Sequence, residues 1–221
     1  MRRRWLLLVL LAAHSAQARP VTYEGGWMLM NENRPDQTEA MVAYTLDTRV
    51  AVGLHYEEYR PLGAPAREFI MPSISYLIRR FNENAVQANV YASAGGGLER
   101  LPHDAARGAD DLRGAGWAAC EGDIESRTLY VSARYTQARL FRPHPLPSAR
   151  LRVGLTPYLT GFEGLQTWVL LQGQWHGWYA HSSTGDEFDL TPMLRFSYQN
   201  VLFELGASFR GAWQFNWVVE L

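Results

Sequence analysis

The chain has 221 residues, enough for one domain, and its 21 basic and 22 acidic residues leave a formal net charge of -1. A charge so close to zero excludes the strong positive field that attracts nucleic acid, so no nucleic-acid partner is expected. Cys120 is the single cysteine, which excludes an internal disulfide.

The first 18 residues have the layout of a secretory signal peptide. Arginines at positions 2–4 precede an apolar stretch over 5–13, and the small residues of an Ala-Gln-Ala sequence end at Ala18. The apolar stretch is too short to span a bilayer as a helix, and no later run reaches about 18 apolar residues. We therefore predict a signal peptide over 1–18, cleaved near Ala18, followed by one β-barrel domain over 19–221.

Beyond residue 18, apolar and polar residues alternate in short segments, the period-two pattern of strands with one apolar face. Half of the segments have 9 to 11 residues, the length that crosses a bilayer at a tilt, and the others have 7 or 8. Three of them, 24–31, 38–46 and 116–124, alternate only weakly. In chain order the segments lie at 24–31, 38–46, 50–57, 73–79, 86–93, 116–124, 128–135, 150–159, 169–176, 188–198, 201–210 and 213–221.

Connection lengths alternate as well, which is typical of outer-membrane barrels with short periplasmic turns and longer outer loops. The glycines at 95–97 indicate that the longest connection is flexible. We predict an all-β fold, a 12-stranded antiparallel transmembrane β-barrel, with ten strands as the fallback count. The short connections are 46–48, 81–84, 124–127, 161–165 and 199–200, and the longer ones are 31–37, 60–67, 95–115, 139–149 and 180–186.

A soluble β-barrel would show the same alternation with its apolar face turned inward. Aromatic residues near the strand ends favour the membrane barrel, because such residues form girdles at the two interfaces. We therefore predict an outer-membrane location, with lipid, lipopolysaccharide and the barrel-assembly machinery as partners. A soluble periplasmic binding barrel stays an alternative. The aromatic residues concerned are Trp27, Tyr56, Tyr59, Trp178, Trp213 and Trp217.

The polar face of each strand is predicted to line the barrel interior. Side chains of both charge signs occur there, so they either pair across the barrel or line a narrow aqueous channel. The predicted lumen-lining residues are His55, Glu57, Arg79, Glu121, Asp123, Arg134, Arg152, Gln172, Gln174, His176, Asp189, Arg195, Glu204 and Arg210.

No catalytic residue, cofactor or metal site is predicted. His55 and His176 lie on distant strands, so their spacing gives no support to a metal centre, and parity turns Cys120 toward lipid. His181 and Ser183 have the spacing of base and nucleophile in some lipid A deacylases, but ordinary hairpin-loop chemistry explains them better. A hydrolase at the outer rim is therefore kept as an alternative to a protein without enzymatic activity.

Three stretches, Gly25 to Asn33, Arg152 to Tyr158 and Phe215 to Trp217, resemble a family of small outer-membrane β-barrel proteins of Gram-negative bacteria. Members of that family often accompany heavy-metal efflux genes. The resemblance implies a role in copper or silver tolerance and a metal-efflux system as a partner, but it supplies no site residue. The sequence thus predicts a narrow channel or an envelope component linked to metal stress.

Overall fold

The computed structural model describes residues 19–60, 65–83, 85–101, 111–140, 145–160, 164–177 and 188–221. These residues form twelve antiparallel strands in one closed barrel, which confirms the predicted fold and strand number. No helix in the described ranges is long and apolar enough to span a membrane. The strands are β1 (Trp27–Asn33), β2 (Gln37–Thr45), β3 (Val50–Tyr59), β4 (Arg67–Asn82), β5 (Val86–Leu101), β6 (Asp111–Ser126), β7 (Leu129–Ala138), β8 (Leu146–Leu155), β9 (Gln166–His176), β10 (Phe188–Tyr198), β11 (Val201–Ala207) and β12 (Trp213–Glu220).

The barrel closes where the first and last strands meet. The backbone N–H of Trp27 donates to the carbonyl of Leu221 at 2.8 Å, and the N–H of Leu221 donates back to Trp27 at 2.8 Å. Met28 then faces Glu220 across the β1–β12 ladder. Every strand consequently has two hydrogen-bonded neighbours, and no strand edge is left open.

The outer surface of the barrel is apolar and the inner surface is polar. On β11, Leu205 is 47% exposed while its neighbour Glu204 is 1% exposed, and Leu171 and Gln172 on β9 repeat this contrast. A soluble barrel buries its apolar face, so the observed orientation rules out the soluble alternative. The outward side chains form the lipid-facing surface of a transmembrane barrel.

A charge placed in the middle of this surface should destabilise the barrel. Leu171 lies near the centre of β9, and we expect Leu171→Arg to lower the free energy of unfolding by about 2–4 kcal/mol in lipid vesicles. Leu112, near the outer end of β6, is a matched control, because an arginine there lies beyond the hydrocarbon layer. Urea unfolding followed by tryptophan fluorescence measures the free energy of unfolding of both arginine variants. Equal decreases in the two variants would contradict a lipid-facing Leu171.

Three strands are about twice as long as predicted. β4, β5 and β6 have 16 residues each, and the predicted loop over 95–115 is wrong because both of its ends belong to strands. Gly95 and Gly97 serve close approach of β5 to β4: a Cβ on Gly97 would lie 2.1 Å from the carbonyl oxygen of Ile70, and one on Gly95 would lie 2.8 Å from that of Pro72. Only residues 102–110 of that segment lie outside the described residues.

A β-bulge on β4 corrects the predicted position of Arg79. The β4–β5 register shifts between Leu77 and Arg79, so the inward and outward faces exchange along the strand. Arg79 is therefore exposed on the outer surface, where its guanidinium lies 4.7 Å from the centre of the Phe81 ring. Arg80 points inward instead, and its Nε donates to Asn89 Oδ1 at 2.8 Å.

Two further predicted positions are wrong. Arg210 lies exposed in the β11–β12 turn rather than in the lumen, because β11 ends at Ala207. Tyr59 does not belong to an interfacial girdle, since it faces inward at 1% exposure and packs edge-on against Phe69 at 5.6 Å.

Candidate functional site

The barrel interior contains most of the charged side chains that the alternation assigned to it. Except for Arg79 and Arg210, the predicted lumen residues occupy inward-facing positions of their strands. Their polar atoms are mostly engaged with each other. The interior is therefore the candidate functional site, and its geometry decides whether it forms an open pore.

One set of ion pairs crosses the interior between strands that are not neighbours in the sheet. Glu39 on β2 accepts a hydrogen bond from Arg134 on β7 at 2.7 Å. Glu32 on β1 pairs with Arg150 and, at 3.4 Å, with Arg152, both on β8. These pairs join opposite parts of the wall and narrow the lumen between them.

Glu204 is the centre of a second network. It is 1% exposed and accepts hydrogen bonds from Arg195 Nε at 2.7 Å and Asn216 Nδ2 at 2.6 Å. Arg152 lies 3.4 Å from Glu204 Oε2, the oxygen that accepts from Asn216, and links this network to Glu32. One carboxylate thus compensates the charges of two buried guanidinium groups.

Polar contacts also crowd the end of the barrel that is predicted to face outward. Glu99 on β5 is fully buried and pairs with Arg67 at 2.8 Å and with Arg139 at 3.2 Å. On the other side, His176 lies 3.7 Å from Asp36. Side chains rather than open space therefore fill much of this end.

Residues 19–22 enter the barrel at the opposite end, which is predicted to be periplasmic. Val21 is fully buried and packs with Ala51, Leu77 and Tyr91, all on inward positions. The backbone N–H of Thr22 donates to Thr45 Oγ1 at 3.1 Å. These contacts hold the segment inside the mouth of the barrel.

Arg19 extends this segment toward acidic groups on β6. Its guanidinium lies 3.9 Å from Asp123 and 3.8 Å from Glu125, and its side chain is 12% exposed. The segment therefore places a positive charge against two inward carboxylates. Neither the inward position of Arg19 nor the apolar packing of Val21 in the barrel mouth was predicted from the sequence.

A small cavity, with room for about one water molecule, lies between the two crowded ends. Pro20 forms part of its boundary, so the N-terminal segment separates it from the barrel mouth. Its wall combines charged groups with apolar side chains, Met and aromatic residues among them. The lining residues are Pro20, Met28, Met30, Glu32, Met41, Ser93, Trp117, Ala119, Glu121, Tyr130, Arg134, Arg150 and Arg152.

The other candidate residues do not come together. In the described ranges no three His, Cys, Asp or Glu side chains form a group able to hold a metal ion. His55 lies at mid-barrel and His176 near one end, and Cys120 is exposed on the outer surface. His181 and Ser183 lie outside the described residues.

No protein-family model matches the chain, and no curated protein matches it in sequence. The barrel is similar to the solved structure of the KdgM porin, with 12% identity and a TM-score of 0.47 over 88% of this chain and 97% of that one. It is also similar to the translocator domain of the autotransporter NalP from Neisseria meningitidis, with 8% identity and a TM-score of 0.46 over 88% and 85%. A third similar structure is LpxR from Salmonella typhimurium, with 10% identity and a TM-score of 0.45 over 88% of this chain and 99% of that one. None of these similarities assigns a family, a solute or an activity to this chain.

Sequence reasoning missed several members of the interior networks. Glu32 and Glu39 lie on the two N-terminal strands, where alternation is weak, although strict parity from Met28 and Met41 would have turned both inward. Glu99 was hidden because its segment was assigned to a loop. Arg150 shares the polar face of β8 with Arg152 and could have been included on that basis.

Proposed function

We propose that the protein is a narrow channel of the outer membrane whose described conformation is closed. The observation that carries this proposal is the cavity between two obstructed ends. A lumen that served stability alone could be filled by side chains throughout, as its two ends are. An enclosed space with charged walls, bounded by a short terminal segment, instead suits a conduit that opens when that segment moves.

Ion flux through the purified, folded protein tests the proposal. In planar bilayers we expect brief openings of small conductance, because the ion pairs from Glu39 to Arg134 and from Glu32 to Arg150 restrict the lumen. Bilayers treated with heat-denatured protein in the same detergent are the control. If neither the native chain nor a variant with residues 19–22 replaced by Gly-Ser-Gly-Ser conducts ions, the channel proposal fails and only a structural role in the envelope remains.

The link to copper or silver tolerance comes from the family resemblance, and it is proposed here as the setting in which the channel acts. A strain lacking the gene should then show altered growth on copper or silver salts but unchanged growth on zinc. Identical growth of the mutant and parent strains on every metal would remove this part of the proposal while leaving the channel untouched.

A further inference from the structure

Sulfur and imidazole side chains form a continuous row on the inner surface of β1 to β4. Met30 is the direct ladder partner of Met41, Met41 of His55, and His55 of Met71. All four face inward, with exposures between 0 and 8%. Directly opposed side chains on one face have Cβ atoms about 4.5–5.5 Å apart, so each member of this methionine row is a neighbour of the next.

His55 has one ring nitrogen in use and one without a partner. Its Nε2 lies 3.1 Å from a carboxylate oxygen of Glu39, whereas its Nδ1 is buried and makes no hydrogen bond in the structure. A buried polar atom without a partner is costly unless something else binds it. Imidazoles that bind metal commonly use one nitrogen for the metal while a carboxylate holds the other, as Glu39 does here.

The charges around the row favour a monovalent cation. Glu39 and Glu57 face each other across the β2–β3 ladder, and both are buried. Arg134 supplies one positive charge, at 2.7 Å from Glu39, and is shared with Glu121 at 3.9 Å. With Glu32, the ladder neighbour of Glu39, and its partners Arg150 and Arg152 included, four carboxylates face three guanidinium groups, and one added positive charge would balance them.

An aromatic ring completes the surroundings. Trp117 lies 4.5 Å from the His55 ring between centroids and belongs to the same buried cluster as Met71. The face of this indole already has the Arg134 guanidinium at 6.0 Å, so Trp117 contributes an apolar wall beside His55 rather than a second cation contact. Met30 and Met41 also line the small cavity together with Trp117, so two of the four members of the row border this internal space.

We infer that the imidazole of His55 and the thioethers of its ladder neighbours Met41 and Met71 bind a soft monovalent cation, Cu(I) or Ag(I). Thioether sulfur is a soft ligand that selects such ions over Mg²⁺ or Ca²⁺, and imidazole suits copper. The site deepens the proposed metal link and rests on it for its role in the cell. Binding by the purified protein requires neither that link nor ion flux.

Silver binding to the folded protein in chloride-free detergent solution tests the inference. All proteins carry Cys120→Ser, because a thiol would itself bind silver. We expect the Met41→Leu/Met71→Leu protein to bind Ag(I) at least about tenfold more weakly than its parent, since loss of even an outer-shell group often costs that much. Leucine conserves the volume and removes only the sulfur.

Met193→Leu is the matched control, because Met193 is buried inward in the separate cluster around Tyr130 and Trp168. Its silver affinity should equal that of the parent. As a second measurement, methyl ¹³C resonances of Met41 and Met71 in the parent should shift on addition of Ag(I), while that of Met193 should not. Equal affinities in all three proteins, or shifts absent from both row methionines, would overturn the site, whatever the conductance measurements give.

Discussion

Replacing residues 19–22 with Gly-Ser-Gly-Ser is expected to raise the conductance of the barrel severalfold. The replacement removes the buried side chain of Val21 and the hydrogen bonds that Thr22 makes with Thr45. It also removes the Arg19 charge from beside Asp123 and Glu125. A flexible Gly/Ser segment has no side chain to hold it in the barrel mouth, so the cavity should connect with solvent at that end.

Planar-bilayer recording compares this variant with the native chain and with a control in which Tyr23 and Glu24 become serine. Both control positions are exposed in the turn before β1, and their replacement should leave conductance unchanged. If the Gly-Ser variant conducts no better than the native chain, residues 19–22 are not the barrier. If conductance rises in the control variant as well, disruption of the turn before β1 rather than removal of residues 19–22 causes the increase.

Removing the Glu204 carboxylate is expected to cause the largest loss of stability. Glu204→Ala leaves the buried guanidinium groups of Arg195 and Arg152 without their shared counter-charge and deprives Asn216 of its acceptor. Breaking a buried ion pair from one side commonly costs about 3–5 kcal/mol, because the remaining charge stays buried. We expect a decrease of that size in the free energy of unfolding, measured by urea denaturation in lipid vesicles.

Glu68→Ala provides the comparison within the same barrel. Glu68 pairs with Arg100 at 3.1 Å, but both side chains are partly exposed, and such pairs contribute about 0–1 kcal/mol. Glu204→Gln keeps an acceptor oxygen but loses the charge. Its decrease in the free energy of unfolding should therefore lie between those of the two alanine variants. A loss for Glu204→Ala no greater than for Glu68→Ala would show that the carboxylate does not hold the network together.

Much of the interior was predictable because strand parity is a local property. Side chains at positions i and i+2 of a strand face the same way, so Glu204 and Arg152 could be assigned inward from their apolar neighbours alone. The same rule failed at Arg79, since the bulge on β4 adds a residue and reverses the faces beyond it. Glycine was also misleading at Gly95 and Gly97, where it indicated a loop although close packing of β5 against β4 is what requires it.

Pairing between distant residues was not predictable, because it depends on register and on the curvature of the closed sheet. Nothing local relates Glu39 to Arg134, which the barrel brings within 2.7 Å across its interior. Nothing local relates Met41, His55 and Met71 either, since their alignment follows from the β2–β3 and β3–β4 ladders.

The sequence by itself determined the class of fold, the number of strands and the face of each regular strand, because alternation and strand length act residue by residue along the chain. Only the tertiary structure decided which inward groups meet, which end residues 19–22 occupy and where a cavity is left. The physical reason is that a closed sheet fixes one register for all twelve strands together, and this register sets every contact across the interior.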